Sequence, residues 1–536
     1  MDRRAGWIAA LAGALTLAVA PALASPTKIP LPRAPSRLPP APTSRSITSV
    51  NGAPLSPAAR AAIRALDEVS LALRTGQTGD AAQRLRLILA SPGYIELPPQ
   101  LRHIGYAMLA QIDLGDRRLD EAQAMIVQAT DLAGATAVEW ELQVNIALAR
   151  RDDRGAIVAL TRLAHDFPAA VPTLADPIIG GIMARAGVLP DGPDLTFKLG
   201  QALIAANWTL KDPFADASRY VVEQMVLLID RDDLAGARGI VGAVGEPVGM
   251  IGPRADKRFD PIKASNPDAF DLKALAEKRL ASITAAAAAA PTRLAGVRAQ
   301  ATALLELGRY AEALRLLDSA LAKAQPAGAA ASPYTDVADE LGTSLALRAR
   351  ALAGLGRYDE ALAQMVQAAA LPEAGHANVT QRMDLSQLQL QMGRPKDALA
   401  SLDAIAPTDL TLTGRTNVQG LRVCAEVAAG DAVATQAALA FVRAYHQSAP
   451  NAFRDALACT GDMDAAAQVQ IALLNDPDKR LPALAWAQTL KLPPAPPGPH
   501  PNALDRRAAL VARPDVKAAI DKVGRVETAP IYTSYF

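Results

Sequence analysis

Aromatic residues are scarce in this chain, although half of it is hydrophobic. Of the 536 residues, 50% are hydrophobic, but Phe, Trp and Tyr together make up 4%. Alanine carries the excess, and runs of β-branched residues are few. Such a composition favours helices over strands. The chain is also too long for one compact core, whereas an array of repeats avoids that limit because each repeat packs only on its neighbours.

Motifs for catalysis and ligand binding are missing as well. The five histidines include no pair at helical spacing, and there is no H-E-x-x-H or C-x-x-C, so no metal site is predicted. Neither a G-x-S-x-G elbow nor a glycine-rich phosphate-binding motif occurs. The paired carboxylates at 152–153 and 232–233 lie between predicted helices, where Asp commonly caps the next helix. We therefore expect no enzyme activity, no cofactor and no small-molecule ligand.

Net charge is close to zero, at +1 from 55 basic and 54 acidic residues. Residues 1–24 have the features of a secretory signal: Arg3 and Arg4, an apolar run, and small residues at 22–24. Their removal takes away two basic residues and one acidic residue, which leaves 53 of each sign. This balance argues against binding to nucleic acid and against electrostatic attachment to anionic lipid.

The signal predicts cleavage after Ala24 and a periplasmic location. The alternative is an uncleaved inner-membrane anchor, which a short run interrupted by Pro21 disfavours. No later segment is long and apolar enough to predict a membrane span in the mature chain.

Two stretches repeat one pattern, Leu-Gly-Arg-Tyr-x-Glu-Ala-Leu, beginning at Leu307 and at Leu355. Apolar residues at helical spacing flank each Gly-Arg-Tyr. The Gly can take a positive φ and end a first helix, and small alanines let a second helix approach its neighbours closely. The pattern predicts a helix–turn–helix hairpin of about 34 residues. Its defining positions are Gly308, Tyr310, Ala313, Leu317 and Ala320 in the first copy and Gly356, Tyr358, Ala361, Met365 and Ala368 in the second.

This pattern resembles the centre of a tetratricopeptide repeat (TPR). The resemblance implies an all-α fold, a right-handed α-solenoid of TPR-like helix–turn–helix hairpins, whose concave face binds peptide or protein segments. Weaker copies occur elsewhere, with uneven spacing and often without the Gly or the Tyr. They are Gly393, Ala398, Leu402 and Ile405; Ala122, Ile126 and Ala129; Ala156, Leu160 and Leu163; Ala237, Val241 and Val244; Ala437, Phe441 and Ala444; and Gly461, Met463, Ala466 and Leu473.

Composition and breaks in the helical pattern divide the rest of the chain. Pro-rich stretches predict extended linkers, and clusters of Gly, Pro and Asn predict loops. The predicted segments are a disordered linker over 25–57, an irregular N-terminal TPR-like array over 58–245, a long loop over 246–269, a C-terminal array over 270–491, and a Pro-rich linker, short helix and aromatic tail over 492–536.

The predicted loop contains a candidate partner contact. Arg254, Lys257 and Arg258 surround Phe259, and an aromatic side chain among charges is typical of an interaction hot spot. The alternative is a solvated connector in which Phe259 plugs the array between two groups of repeats.

The aromatic tail is a second candidate contact. Its last two residues are Tyr535 and Phe536. The tail either packs back on the array as a cap, which an open solenoid end needs, or lies in the groove, or binds another protein.

The cysteines, Cys424 and Cys459, fall in the first helices of adjacent predicted repeats. A disulfide is conceivable in an oxidising compartment, although the two residues differ by about one helical turn in height. The alternative is two small buried thiols.

The whole pattern favours an exported TPR-like scaffold that mediates protein–protein interaction in cell-envelope assembly or maintenance. Its partner would be a protein or a peptide. One alternative is an envelope hydrolase on a helical solenoid, which would need a convergent cluster of acidic or nucleophilic side chains. Another is a permanent structural subunit of a secretion or envelope complex, which large apolar surface patches would indicate.

Overall fold

The computed structural model describes residues 49–50, 53–74, 80–187, 189–325, 331–372, 378–498, 503–534 and 536. The described residues are mostly helical, and within each unit many helices that follow one another in sequence pack against one another. The all-α solenoid of TPR-like helix pairs predicted from the sequence is confirmed. The predicted signal, residues 1–24, and most of the predicted linker lie outside the described residues.

The chain divides into two compact units, one ending at Lys211 and one beginning at Asp212. The first unit opens with two short antiparallel strands, β1 (Ser49–Val50) and β2 (Ala53–Pro54). A 3-10 helix, Pro168–Thr173, interrupts its α-helices. These are α1 (Pro57–Arg74), α2 (Ala81–Leu89), α3 (Pro92–Ile95), α4 (Pro99–Gly115), α5 (Leu119–Thr130), α6 (Ala137–Arg150), α7 (Asp153–Asp166), α8 (Asp176–Ala186) and α9 (Gly192–Ala205).

The second unit holds the two strongest copies of the sequence pattern. Its helices before the repeats are α10 (Ser218–Ile229), α11 (Leu234–Ile240), α12 (Ile251–Ala255), α13 (Asp260–Ser265) and α14 (Leu272–Ala289). Five pairs follow: α15 (Leu294–Glu306) with α16 (Tyr310–Ala324), α17 (Val337–Gly354) with α18 (Tyr358–Ala370), α19 (Val379–Gln391) with α20 (Pro395–Asp403), α21 (Leu412–Ala429) with α22 (Ala432–Ala444), and α23 (Pro450–Cys459) with α24 (Met463–Asn475).

After the pairs come α25 (Arg480–Ala487), strand β3 (Thr489–Lys491), α26 (Ala503–Val511), α27 (Pro514–Val523) and strand β4 (Thr528–Tyr532). The two strands pair in parallel, with Thr489 opposite Thr528. The sequence predicts one helix over about 502–523, but the structure has two. Pro514 occupies the first position of α27, and the residue before a proline is disfavoured in the α conformation, so the helix breaks there.

Each pair turns at a glycine with positive φ, as the repeat pattern predicts. Gly308, Gly356 and Gly393 have φ of +72°, +75° and +74°, a conformation that side chains other than Gly adopt only with strain. The predicted small and apolar positions of the second helices are buried between neighbouring helices. They are Ala313, Leu317 and Ala320, then Ala361, Met365 and Ala368, and then Ala398 and Leu402.

One weaker copy was predicted in the wrong register. In α22, Ala437 and Ala444 are exposed and Phe441 is half-buried, whereas Ala438, Leu439 and Val442 form the core. The helix is rich in alanine on every face, so the spacing of apolar residues does not select one face.

The prediction of a long loop over 246–269 is wrong. The structure forms α12 and α13 there, together with 3-10 turns at Val248–Met250, Lys257–Phe259 and Pro267–Phe270. Helical segments of five or six residues are too short to show a periodicity, and proline is tolerated in their first turns. The boundary between arrays is also earlier than predicted, because Phe214 packs with Ile283, Ala295 and Ala299 of the later helices.

Candidate functional site

A segment of the same chain covers the turns of the first three helix pairs in the second unit. We call residues 489–498, 528–534 and 536 the clasp. Pro494 lies at the second turn, where its carbonyl oxygen accepts a hydrogen bond from the Tyr358 hydroxyl. Gly498 lies against the backbone of Gln391 and Gly393 at the third turn. The clasp therefore holds an extended backbone along successive repeats.

The first turn receives an aromatic ring from the clasp. Tyr532 of β4 meets Tyr310 edge to face, with ring centroids 5.7 Å apart and an interplanar angle of 79°. A Cβ atom built on Gly308 would lie 2.7 Å from Cδ2 of Tyr532 and closer still to Cε2. Glycine is therefore required at position 308 for two reasons: the backbone has a positive φ, and the Tyr532 ring leaves no room for a side chain.

The clasp ends among the first helices of the repeats. Phe536 is buried in the core that α15, α17 and α19 share, and its backbone oxygen accepts a hydrogen bond from Nε of Arg350, 3.1 Å away. Arg350 also pairs with Asp384 at 2.7 Å, and both side chains are buried. This position agrees with the two predictions in which the tail folds back on the array. Tyr535 lies outside the described residues.

A pocket between the clasp and the repeats is about 20 Å³, which is room for one water molecule. Little empty space therefore remains between the clasp and the repeats at this pocket. The residues around this pocket are Leu305, Tyr310, Arg350 and Ala353 of the repeats and Pro493, Tyr532, Thr533 and Ser534 of the clasp.

The predicted hot spot around Phe259 is not an exposed surface, and this prediction is wrong. Phe259 is fully buried, as in the alternative where it plugs the array. Arg254 pairs with Glu527 at 2.5 Å, and the Lys257 ammonium donates to the carbonyl oxygen of Asp521. The cationic groups thus hold the chain's own C-terminal elements.

Arg258 of the same group is also occupied. It forms ion pairs with Asp256 at 2.8 Å and with Asp230 at 3.1 Å. Phe259 is buried and the cationic side chains around it already have partners within the chain, so these residues do not form a hot spot for another protein.

The cysteines form a disulfide. Cys424 on α21 and Cys459 on α23 are bonded, with their Cα atoms 5.1 Å apart. The bond joins the first helices of the fourth and fifth pairs, which lie side by side. The offset of about one helical turn that the sequence predicts between the two cysteines does not prevent the disulfide.

A cluster of buried charges joins α14, α15 and the segment that follows α11. Arg279 pairs with Glu246 and, at 3.5 Å, with Glu306. Burial raises the pKa of Glu246 to about 8 and that of Glu306 to about 7; Arg279 opposes both shifts, and Asp216 adds to them. Two carboxyl groups thus share one guanidinium, and Asp216 lies close enough to raise the pKa of both.

The sequence argument missed Arg350, Asp384 and this cluster. Arg350 and Asp384 lie on successive first helices, and both side chains are buried. A charge on a buried helix face signals a partner charge, but the sequence does not show which residue that partner is.

One carboxylate of each predicted pair caps the next helix. Asp152 accepts a hydrogen bond from the Gly155 backbone NH at 2.8 Å, and Asp233 accepts one from Gly236 at 2.8 Å. Within the described residues, no group of three His, Cys, Asp or Glu side chains is placed to hold a metal ion. In the same part of the chain, none of the helices combines the length and hydropathy needed to span a bilayer.

Comparison with known proteins yields structural likeness only. No family model matches the chain, and no curated protein matches it. Among solved structures, the APC/C hetero-tetramer Cut9-Hcn1 aligns at 14% identity with a TM-score of 0.26, over 87% of this chain and 96% of that chain.

Two further structures align in a similar way. A monomeric IFIT1 mutant with m7Gppp-AAAA gives 11% identity and a TM-score of 0.28, over 77% of this chain and 82% of that one. Naa15/Naa10 bound to HypK-THB gives 13% identity and a TM-score of 0.22, over 87% of this chain and 82% of that one. TM-scores below 0.5 carry no argument about ligands or partners. The TPR-like character of the chain rests on its own repeat pattern and helix pairs.

Proposed function

We propose that this protein is an exported scaffold whose TPR-like helix pairs bind protein segments, in the assembly or maintenance of a cell envelope. The observation that carries the proposal is the clasp. Two stretches of polypeptide lie along successive repeat turns, one held by a tyrosine hydroxyl and the other by an aromatic ring edge and an arginine. These groups recognise features that many polypeptides carry, a backbone carbonyl or an aromatic side chain.

The disulfide supports export. Stable disulfides persist in the periplasm and in secreted proteins and are rare in the cytosol. The predicted signal at residues 1–24 and the balanced charge of the remaining chain agree with a soluble role in that compartment. Cell fractionation and N-terminal sequencing of the purified protein test this part, with Ser25 expected as the first residue.

Partner binding is tested by site-specific photo-crosslinking in intact cells. Leu355 lies beside the second repeat turn and is 40% exposed, whereas Val433 is 83% exposed on α22, away from the clasp. A photoreactive residue at Leu355 should capture a reproducible protein, identified by mass spectrometry, and the same residue at Val433 should not. Capture at neither position would count against the scaffold, and capture at Val433 alone would place the partner on another face.

A hydrolase is the second candidate, and the carboxyl cluster is the observation that favours it. Burial raises the pKa of Glu246 to about 8, as a general acid requires. However, the Glu246 side chain is 16% exposed and Glu306 is 1% exposed, so little of the cluster can meet a substrate in this conformation. Digestion of peptidoglycan by the purified protein, abolished in E246Q, would reverse the preference for the scaffold.

A further inference from the structure

The junction of α23, α25 and α26 buries an arginine with one unsatisfied group. Arg454 is 0% exposed. Its Nε donates to Asp455 at 2.9 Å, and its Nη1 donates to Asn451 at 2.9 Å and to Gln470 at 2.8 Å. Its guanidinium carbon lies 3.5 Å from the ring centre of Trp486. The Nη2 atom is buried and has no acceptor in the part of the chain that the structure describes.

A second buried arginine lies on the helix that packs against it. Arg507 of α26 is 9% exposed, and its Nη1 atom is likewise buried without an acceptor among the described residues. Helices α23 and α26 are in contact. Burial and the nearby Arg454 lower the pKa of Arg507 to about 10, so Arg507 keeps its charge at neutral pH.

Positive charge exceeds negative charge here. Arg506 adjoins Arg507 and is half-buried, which makes three guanidiniums. The carboxylates nearby are Asp455, which already binds Arg454, and the exposed Asp505. An uncompensated buried charge costs several kcal/mol, and a buried donor without an acceptor adds to that cost. Two buried donors without an acceptor among the described residues, together with the local excess of positive charge, favour a bound anion.

We propose that an oxyanion, the phosphate or carboxylate group of a small molecule, binds at Arg454 and Arg507 and accepts hydrogen bonds from Nη2 of the first and Nη1 of the second. Guanidinium groups suit such ligands because their planar donors match two oxygens of one group. This proposal does not depend on the scaffold function.

The test measures thermal unfolding of the mature protein, followed by circular dichroism, in increasing inorganic phosphate and, separately, citrate. Sodium chloride keeps the ionic strength constant. The midpoint should rise in a saturable way with at least one of the two anions, because a ligand bound only by the folded state stabilises it. A response to phosphate alone assigns a phosphate group, and a response to citrate alone assigns a carboxylate.

The decisive variant is R507Q, with R443Q as the matched control, since Arg443 is exposed on α22. R507Q should weaken the apparent Kd about tenfold or more, because one charge-assisted hydrogen bond is lost, while R443Q should leave it unchanged. R507K keeps the charge and serves if R507Q does not fold; it should also weaken binding. No saturable response in the wild type, or equal responses in all variants, would overturn the proposal.

Discussion

The contact between Gly308 and Tyr532 allows a sharp test of the clasp. Replacing Gly308 with Ala places a Cβ within 2.7 Å of the Tyr532 ring and puts Ala at a φ of +72°. The matched control is Gly430→Ala, since Gly430 has a φ of +78° and nothing within 4 Å of its Cβ position. The two substitutions share the backbone strain and differ in the ring.

The magnitudes follow from these two terms. A left-handed conformation costs an alanine about 1–2 kcal/mol, so G430A should lose about that much free energy of unfolding. G308A should lose about 1–2 kcal/mol more, because Tyr532 must leave its place and its edge-to-face contact with Tyr310 is worth about 0.5–1.5 kcal/mol. Urea denaturation followed by far-ultraviolet circular dichroism measures both losses.

A double-mutant cycle isolates the ring. In G308A/Y532A the added Cβ meets no ring, so the double variant should lose about 1 kcal/mol less than the sum of the two single losses. G430A/Y532A should be additive, because these residues do not touch. Equal losses for G308A and G430A, together with additivity in both cycles, would show that Tyr532 does not pack on this turn.

Three further outcomes are expected in the same assay. Burial raises the pKa of Glu306 from 4.5 to about 7, so between these pH values the folded state binds a proton that the unfolded state releases. The contribution of this group to the free energy of unfolding should therefore fall by about 3 kcal/mol as pH rises from 4.5 to 9. E306Q should make the free energy of unfolding less dependent on pH, and an unchanged pH dependence would contradict this assignment. Substituting Cys424 and Cys459 with Ser opens a loop of 35 residues and should cost about 3–4 kcal/mol, a loss that reduction of the wild type should reproduce. D384A should cost about 3–5 kcal/mol because it removes the carboxylate that pairs with the buried Arg350, and the double variant R350M/D384L should cost less; equal losses would mean that the pair is not buried.

The sequence predicts the helix pairs well where a position can be filled by only one type of residue. Gly308 and Gly356 supply the positive φ, and Ala313 and Ala361 supply close packing, so the pattern reports local geometry directly. In α22 the same method fails, because alanine on every face removes the contrast on which periodicity depends.

The clasp could not be placed from the sequence. Its contacts join residues far apart in the chain, such as Arg350 with Phe536 and Tyr358 with Pro494, and single-sequence patterns carry only local spacing. The sequence therefore leaves the position of the tail open, and it predicts that the cationic group around Phe259 faces solvent. The charges whose partners are distant are the residues that the sequence argument missed.

A linear array of helix pairs is normally elastic, because each interface yields independently of the others. In residues 294–475, the clasp bridges three successive turns and the disulfide joins the fourth pair to the fifth. Stretching such an array requires these ties to break before the repeats can separate. The first three pairs, and separately the fourth pair with the fifth, should therefore extend less under force than an array without such ties.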